Sequence, residues 1–294
     1  MLLSNNEYAA FGGVEYSAGL SYTGNKVHRR QVHALQRSLY LAHLDRKLLL
    51  SENAQCYHLE FSAPELSAFD FIAGQFVSMV ADDSQGKQQT RAYSIASAPS
   101  ANRFALCVNR VEGGFFSNKL CDLEPGDQIH FHGPHGLFTL RQPLTDSIFI
   151  ATGTGVAPMR GFAEHLFPES GEDRSEGRHV WLVYGTRYEA DIYYRQYFEK
   201  LAAEHPNFHY LSALSRAQES WEGLRGYVQD HVAEIVTRRA QENHPAPLLP
   251  TTAEPRGYDI HAYICGLHEM VSANRERLKE LGWERKQVVF ERYD

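Results

Sequence analysis

The feature that most constrains the fold is a change of rhythm near residue 145. Before it, from about 45 to 142, the apolar runs are short and β-rich: "QCYHLEFS", "QFVSMVA", "RAYSIAS", "RFALCVNRV" and "DQIHFHG". Pro, Gly and Asp turns such as "EPGD" and "HGPHG" separate them, the spacing of a small antiparallel barrel. After it, the apolar runs "SIFIAT", "HVWLVYG", "NFHYLSAL", "DIHAYICG" and "QVVFERY" alternate with helical patterns near 158–167, 191–203, 227–239 and 268–281. That alternation predicts a doubly wound parallel sheet. A chain of 294 residues, at about 150 per domain, has room for both. The predicted organisation is therefore an N-terminal antiparallel β-barrel over 45–143 and an α/β domain over 144–294, joined at "PLTD". Residues 1–44 form an extension to which no structure is assigned, and "AQENHPAPLLPTTAEPRG" reads as a Pro-rich surface loop.

Charge narrows the function classes. The formal net charge of -7 gives no reason to expect nucleic acid as a partner. Within 24–47, however, Lys26, Arg29, Arg30, Arg37, Arg46 and Lys47 face only Asp45, and a solvated basic face is the preferred reading over an acidic docking partner. No window approaches 18 consecutive apolar residues, and "MLLSNNEYAAFGG" has no charged segment followed by an apolar core. A cytoplasmic monomer without a membrane span is expected. Cys56, Cys107, Cys121 and Cys265 are far apart and form no C-x-x-C pair, so neither a disulfide framework nor an iron–sulfur or zinc site is indicated.

The most informative local stretch is "DSIFIATGTGVAPMRGFAEHLF", Asp146 to Phe167. Gly153 and Gly155 directly follow a strand, and Pro158 suits a first helical position. Glycine permits a tight turn and close ligand approach, while unpaired N–H groups at a helix start favour an anion. A nucleotide pyrophosphate fits that description. Pro158 stands where a third glycine would complete the dinucleotide fingerprint, and no Lys-Ser/Thr pair marks a phosphate loop, so the corner alone is equally an ordinary strand-to-helix turn.

Further motifs follow in order: "RAYS" (Arg91–Ser94), "GGFFSNKL" (Gly113–Leu120), "GTGVAP" (Gly153–Pro158), "YGTR" (Tyr184–Arg187), "YICG" (Tyr263–Gly266) and "FERYD". Their order and spacing resemble the plant-type ferredoxin–NADP reductase superfamily over about 45–294. The resemblance implies FAD on the barrel and a nicotinamide dinucleotide on the α/β domain. It further implies that Arg91 pairs with the FAD pyrophosphate, Tyr93 stacks on the flavin and Ser94 hydrogen-bonds near flavin N5. Gly113, Gly114 and Ser117 would form a second phosphate clamp at a helix start. Cys265 and Gly266 would lie beside the nicotinamide. Glu291 and Tyr293 match the family's Glu-x-Tyr ending, in which Tyr covers the flavin face and Glu routes protons; here Asp294 follows the Tyr. Ser94, Cys265, Glu291 and Tyr293 are thus the candidate catalytic residues. Ala92, Val108, Asn109, Thr154, Gly155 and Pro158 complete the cofactor-binding set with those named.

Ser215 and Arg216, with Tyr227 twelve residues after the serine, match the arrangement that grips a 2′-phosphate in NADP-dependent members. Guanidinium and hydroxyl donors suit a dianion, and no acidic residue that would bond a ribose diol follows Leu214 immediately. NADPH is therefore expected, with NADH the alternative, because "WEGLRGYV" also resembles NADH-dependent reductases of oxygenase systems. The expected activity is hydride transfer between NADPH and FAD, then single-electron transfer to a separate carrier such as ferredoxin or flavodoxin. Two other readings are a non-catalytic flavin-binding module and a metal enzyme using His130, His132 and His135 of "HFHGPH"; barrel-end histidines explain that motif better, and no metal is expected.

Overall fold

The computed structural model describes residues 38–242 and 259–293. Most of the N-terminal extension, nearly all of the Pro-rich loop and Asp294 lie outside the described residues, with whatever was expected of them.

Six antiparallel strands build the first domain: β1 (Tyr40–Ser51), β2 (Cys56–Ser62), β3 (Phe76–Asp82), β4 (Gln88–Ser94), β5 (Arg103–Asn109) and β6 (Gln128–His135), in the order β4-β3-β6-β1-β2-β5. The end strands β4 and β5 approach through an Ile95–Leu106 bridge, curling the sheet towards a barrel. Leu44, Leu59, Phe61, Val77, Met79, Leu106 and Phe131 fill its interior. Helix α1 (Phe115–Asp122) follows β5.

Strand β1 begins at Tyr40, inside the stretch to which the sequence assigned no structure. Its pattern is hard to read because the register against β2 shifts between Leu44 and Arg46 and again between Leu49 and Ser51. Each shift moves later side chains to the other face, erasing a clean two-residue alternation. Arg46 and Lys47, two members of the basic stretch, pair with Glu60 and Glu124 at the strand surface.

The second domain has six parallel strands: β7 (Asp146–Thr152), β8 (Val180–Thr186), β9 (Phe208–Leu214), the short β10 (Leu224–Arg225), β11 (Ile260–Leu267) and β12 (Val288–Tyr293). Their order is β10-β9-β8-β7-β11-β12. Helices α2 (Val156–Leu166) and α3 (Arg195–Glu204) pack on the face turned to the barrel, and α4 (Val228–Glu242) and α5 (His268–Glu280) on the other. The chain winds outward from β7 to β10, then returns to β7's other side, so the winding reverses between β7 and β11. Open α/β sheets bind ligands at the carboxyl ends of strands at such a reversal.

At the opposite end of this sheet, Arg239 of α4 donates to Asp146 at 2.8 Å and to Asp259 at 3.2 Å, tying the helix to β7 and to the approach to β11.

The two domains share one core. Cys56 and Cys107 of the barrel belong to the same buried cluster as Phe162, Tyr184 and Tyr263. Ser51 donates to Asp191 at 2.8 Å, His58 Nδ1 is bonded to the Tyr194 hydroxyl at 2.9 Å, and the backbone N–H of Arg141 donates to the Tyr263 hydroxyl at 2.8 Å. Arg160 of α2 donates to the Ala96 carbonyl. Gly161 lets α2 lie so close to the segment after β4 that a Cβ would stand 3.0 Å from the Ser97 carbonyl oxygen.

Candidate functional site

The centre of the site joins β4 to β12. Ser94, the last residue of β4, is buried and its hydroxyl donates to Glu291 Oε2 at 2.8 Å across the domain boundary. Cys265 on β11 pairs in register with Glu291, and Leu267 with Tyr293, so parallel strand geometry puts Cys265, Glu291 and Tyr293 on one face. Tyr293 packs against the shared core. The four candidate catalytic residues therefore meet at the winding reversal.

Burial sets the electrostatics here. It raises the Glu291 carboxyl above its ordinary range, partly offset by the hydrogen bond from Ser94. Burial, with the neighbouring Glu291 carboxylate, pushes the Cys265 thiol well up, so it stays neutral near pH 7. Tyr293 is pushed up by the same desolvation and by Cys265 and Glu291.

The glycine corner divides its labour differently from expectation. Gly153 adopts φ +53°, and a Cβ there would meet open space. Gly155 has ordinary dihedrals, but a Cβ would collide with the Cys265 carbonyl on β11. Gly155 thus serves helix–strand packing. A turn of 3-10 helix over Gly153–Gly155 runs straight into α2, so the helix starts at Val156 and Pro158 is its third residue rather than its first. Proline is still tolerated, because first-turn N–H groups have no helical acceptor. Thr154 lies within this turn, half-buried.

A second corner sits at the start of α1. Gly113 has φ +70° with open space where its Cβ would be, and Gly114 is the N-cap. The buried Ser117 hydroxyl accepts from the Val111 N–H at 3.2 Å and lies 3.5 Å from the Gly114 carbonyl, contacts that shape the loop. The start of α1 has no side-chain cap, which leaves its first-turn N–H groups for an anion, whereas the Val156 N–H at the start of α2 is already bonded to the carbonyls of Gly153 and Thr154. Arg91 and Ala92 are exposed on edge strand β4 and Tyr93 is half-buried beside them; Val108 is buried and Asn109 half-buried at the end of β5. Guanidinium, aromatic ring and uncapped helix start together fit a flavin dinucleotide, with Arg91 and α1 for its pyrophosphate and Tyr93 for its ring.

The distal end lies past β8 and β9. Ser215 is half-buried, its N–H bonded to the Thr186 carbonyl at 3.0 Å. Arg216 is exposed, and Tyr227, at 64% exposure, stands just before α4. Arg225 wraps the intervening loop, donating to the carbonyls of Gln218, Glu219 and Trp221 at 2.9, 3.0 and 2.7 Å.

Sequence reasoning missed Thr152 and Tyr188. The Thr152 hydroxyl is buried without a hydrogen-bond partner, next to the place a Gly266 side chain would occupy. Gly266 itself has φ +152°. An unsatisfied buried hydroxyl at the reversal fits a site that takes a polar ligand group; a threonine ending a strand carries no sequence signal for this. Tyr188 accepts a hydrogen bond from Arg216 Nη1 at 3.2 Å. His132 and His135 bond to each other ring to ring at 2.8 Å, and among the described residues no group of three or more His, Cys, Asp or Glu is placed to hold a metal.

Two family models match the chain: an oxidoreductase FAD-binding domain over residues 41–140 and an oxidoreductase NAD-binding domain over 149–276. The chain is 44% identical to ferredoxin–NADP reductase B of Sorangium cellulosum over 241 residues, covering 80% of this chain and 91% of that one. It is also 32% identical to the reductase component DmpP of phenol 2-monooxygenase from Pseudomonas sp., over 83% of this chain and 62% of that protein. Among solved structures, ferredoxin–NADP+ reductase from Plasmodium falciparum with 2′P-AMP superposes with a TM-score of 0.69 at 23% identity, covering 87% of this chain and 96% of that one.

Proposed function

The chain belongs to the ferredoxin–NADP reductase family of FAD- and NAD(P)-binding oxidoreductases, and from that premise we propose that it oxidises NADPH and passes single electrons to a separate carrier such as ferredoxin or flavodoxin. Bound FAD supplies the ring that accepts hydride from nicotinamide and releases electrons singly. The residues of the chain supply position and proton control. The Ser94 hydroxyl donates to Glu291 at 2.8 Å at the domain boundary, and burial raises the carboxyl above its ordinary range, the property of a group that handles protons. Cys265, neutral and buried, offers a compact, uncharged wall for a nicotinamide ring. Tyr293 occupies the same face, where it would cover a flavin ring and would have to move aside for a nicotinamide ring to reach it.

The observation that carries the reading is the Ser94–Glu291 bond, because it closes one site from residues of both domains. NADPH rather than NADH is supported by Ser215, Arg216 and Tyr227 at the ends of β9 and β10, with no carboxylate ion-paired to Arg216 among the described residues. The test is anaerobic stopped-flow bleaching of the flavin in the purified protein with NADPH and NADH at equal concentration. Faster bleaching by NADPH, lost in Arg216→Ala, is the expected result. The likeness to a phenol 2-monooxygenase reductase component favours a second reading, an NADH-dependent reductase of an oxygenase system; a preference for NADH selects it, and no bleaching with either nucleotide overturns both.

A further inference from the structure

We propose that Tyr188 is a positioning residue that holds the Arg216 guanidinium ready for the 2′-phosphate, and so sets how sharply the protein separates NADPH from NADH. This rests on the NADPH reading above.

Tyr188 lies two residues past the end of β8 and is 43% exposed, so its phenol is open to an approaching ligand. Its hydroxyl accepts from Arg216 Nη1 at 3.2 Å. Around this bond the backbone is already fixed. The N–H groups of Ser215 and Arg216 donate to the carbonyls of Thr186 and Arg187, both at 3.0 Å, extending the β8–β9 pairing beyond the sheet. The Thr186 hydroxyl donates to the Tyr188 carbonyl at 3.0 Å, bracing the turn that carries the phenol. On the far side, Arg225 clamps the carbonyls of the loop that follows Arg216. What remains adjustable is the Arg216 side chain, and Tyr188 is the group that orients it.

The chemistry of the acceptor matters. A carboxylate in that position would neutralise Arg216 and repel a phosphate. Glu189, the acidic neighbour, is instead engaged by Arg195 at 2.6 Å. A neutral phenol takes up one donor and leaves the charge and the rest of the planar fork for bidentate contact with phosphate oxygens. Holding the fork in advance removes part of the rotamer freedom that binding would otherwise cost.

The test titrates the FAD-loaded protein calorimetrically with 2′-phospho-AMP and with 5′-AMP, using wild type, Tyr188→Phe, Arg216→Ala and the double variant. Tyr188→Phe is expected to weaken 2′-phospho-AMP by about 2- to 10-fold, the range of one neutral hydrogen bond. It should leave 5′-AMP unchanged and add nothing in the Arg216→Ala background. In steady state, KM for NADPH rises with kcat held, and KM for NADH stays put. A silent Tyr188→Phe beside a damaging Arg216→Ala overturns this proposal alone. Equal losses with both nucleotides, or a loss that persists without Arg216, also overturn it, pointing to direct stacking or general loosening. If Arg216→Ala leaves 2′-phospho-AMP binding intact, the NADPH reading fails and the proposal with it.

Discussion

Ser94 and Glu291 show how two ordinary residues acquire a function from their surroundings. The carboxyl is raised by desolvation, and the serine hydroxyl that donates to it partly offsets that shift. The pH profile of flavin reduction is therefore expected to carry an inflection above the ordinary carboxyl range. Glu291→Gln should abolish that inflection and slow reduction by about 10²-fold, the lower end of what a positioned acid–base group contributes. An unchanged profile in the variant would remove Glu291 from the proton path. The candidate residues were readable only as motifs: "RAYS" and "FERYD" carry the right residue types, but their contact spans 197 positions. Thr152 and Tyr188 left no such trace, because a lone threonine or tyrosine at a strand end is unremarkable until its neighbours are known.

At the scale of elements, the β7–α2 corner explains why two glycines two apart are needed. They answer separate demands: Gly153 a left-handed turn, Gly155 room beside the β11 backbone. The two substitutions should differ accordingly. Gly153→Ala is expected to cost about 1–2 kcal/mol through backbone strain alone. Gly155→Ala should cost about 1–3 kcal/mol and also displace Cys265, slowing flavin reduction, because its methyl group meets an immovable carbonyl. Urea unfolding and stopped-flow reduction of the two variants separate the effects; equal loss of reduction rate in both would contradict the assignment. The same corner explains the helix boundary at Val156. Proline marks a first turn reliably but not which residue of it, since all first-turn N–H groups lack a helical partner. Strand β1 escaped the sequence because its two register shifts scramble the alternation from which strands are read.

Across the whole molecule, the domain interface is a core rather than a hinge lined with water. His58 shows its cost and its usefulness. Burial, with Arg160 and Arg46 nearby, drives its pKa down to about 3. In the unfolded chain the ring titrates near its usual 6.5, so between pH 6.5 and 3 the unfolded state binds a proton that the native state refuses. Stability is full above pH 6.5, falls as pH drops through that window and levels off below about 3. By pH 5 this group alone should remove about 2 kcal/mol. His58→Gln is expected to flatten the decline measured by denaturant unfolding between pH 7 and 5; an equal slope in the variant would place the acid sensitivity elsewhere.

What the sequence determined by itself were the properties carried by local rhythm and composition. Short β-rich runs broken by turns dictated the antiparallel domain, and apolar runs alternating with helical stretches dictated the parallel one, since elements in those orders can bury their apolar faces in few ways. The order of short motifs determined the family. What only the tertiary structure decided were the relations between distant residues: Ser94 against Glu291, Gly155 against the Cys265 carbonyl, Arg216 against Tyr188, and a barrel sharing its core with the sheet. Those relations depend on strand order and on how two domains pack. Neither leaves a periodic signal, because a contact between residues far apart in the chain imposes no spacing on the sequence between them.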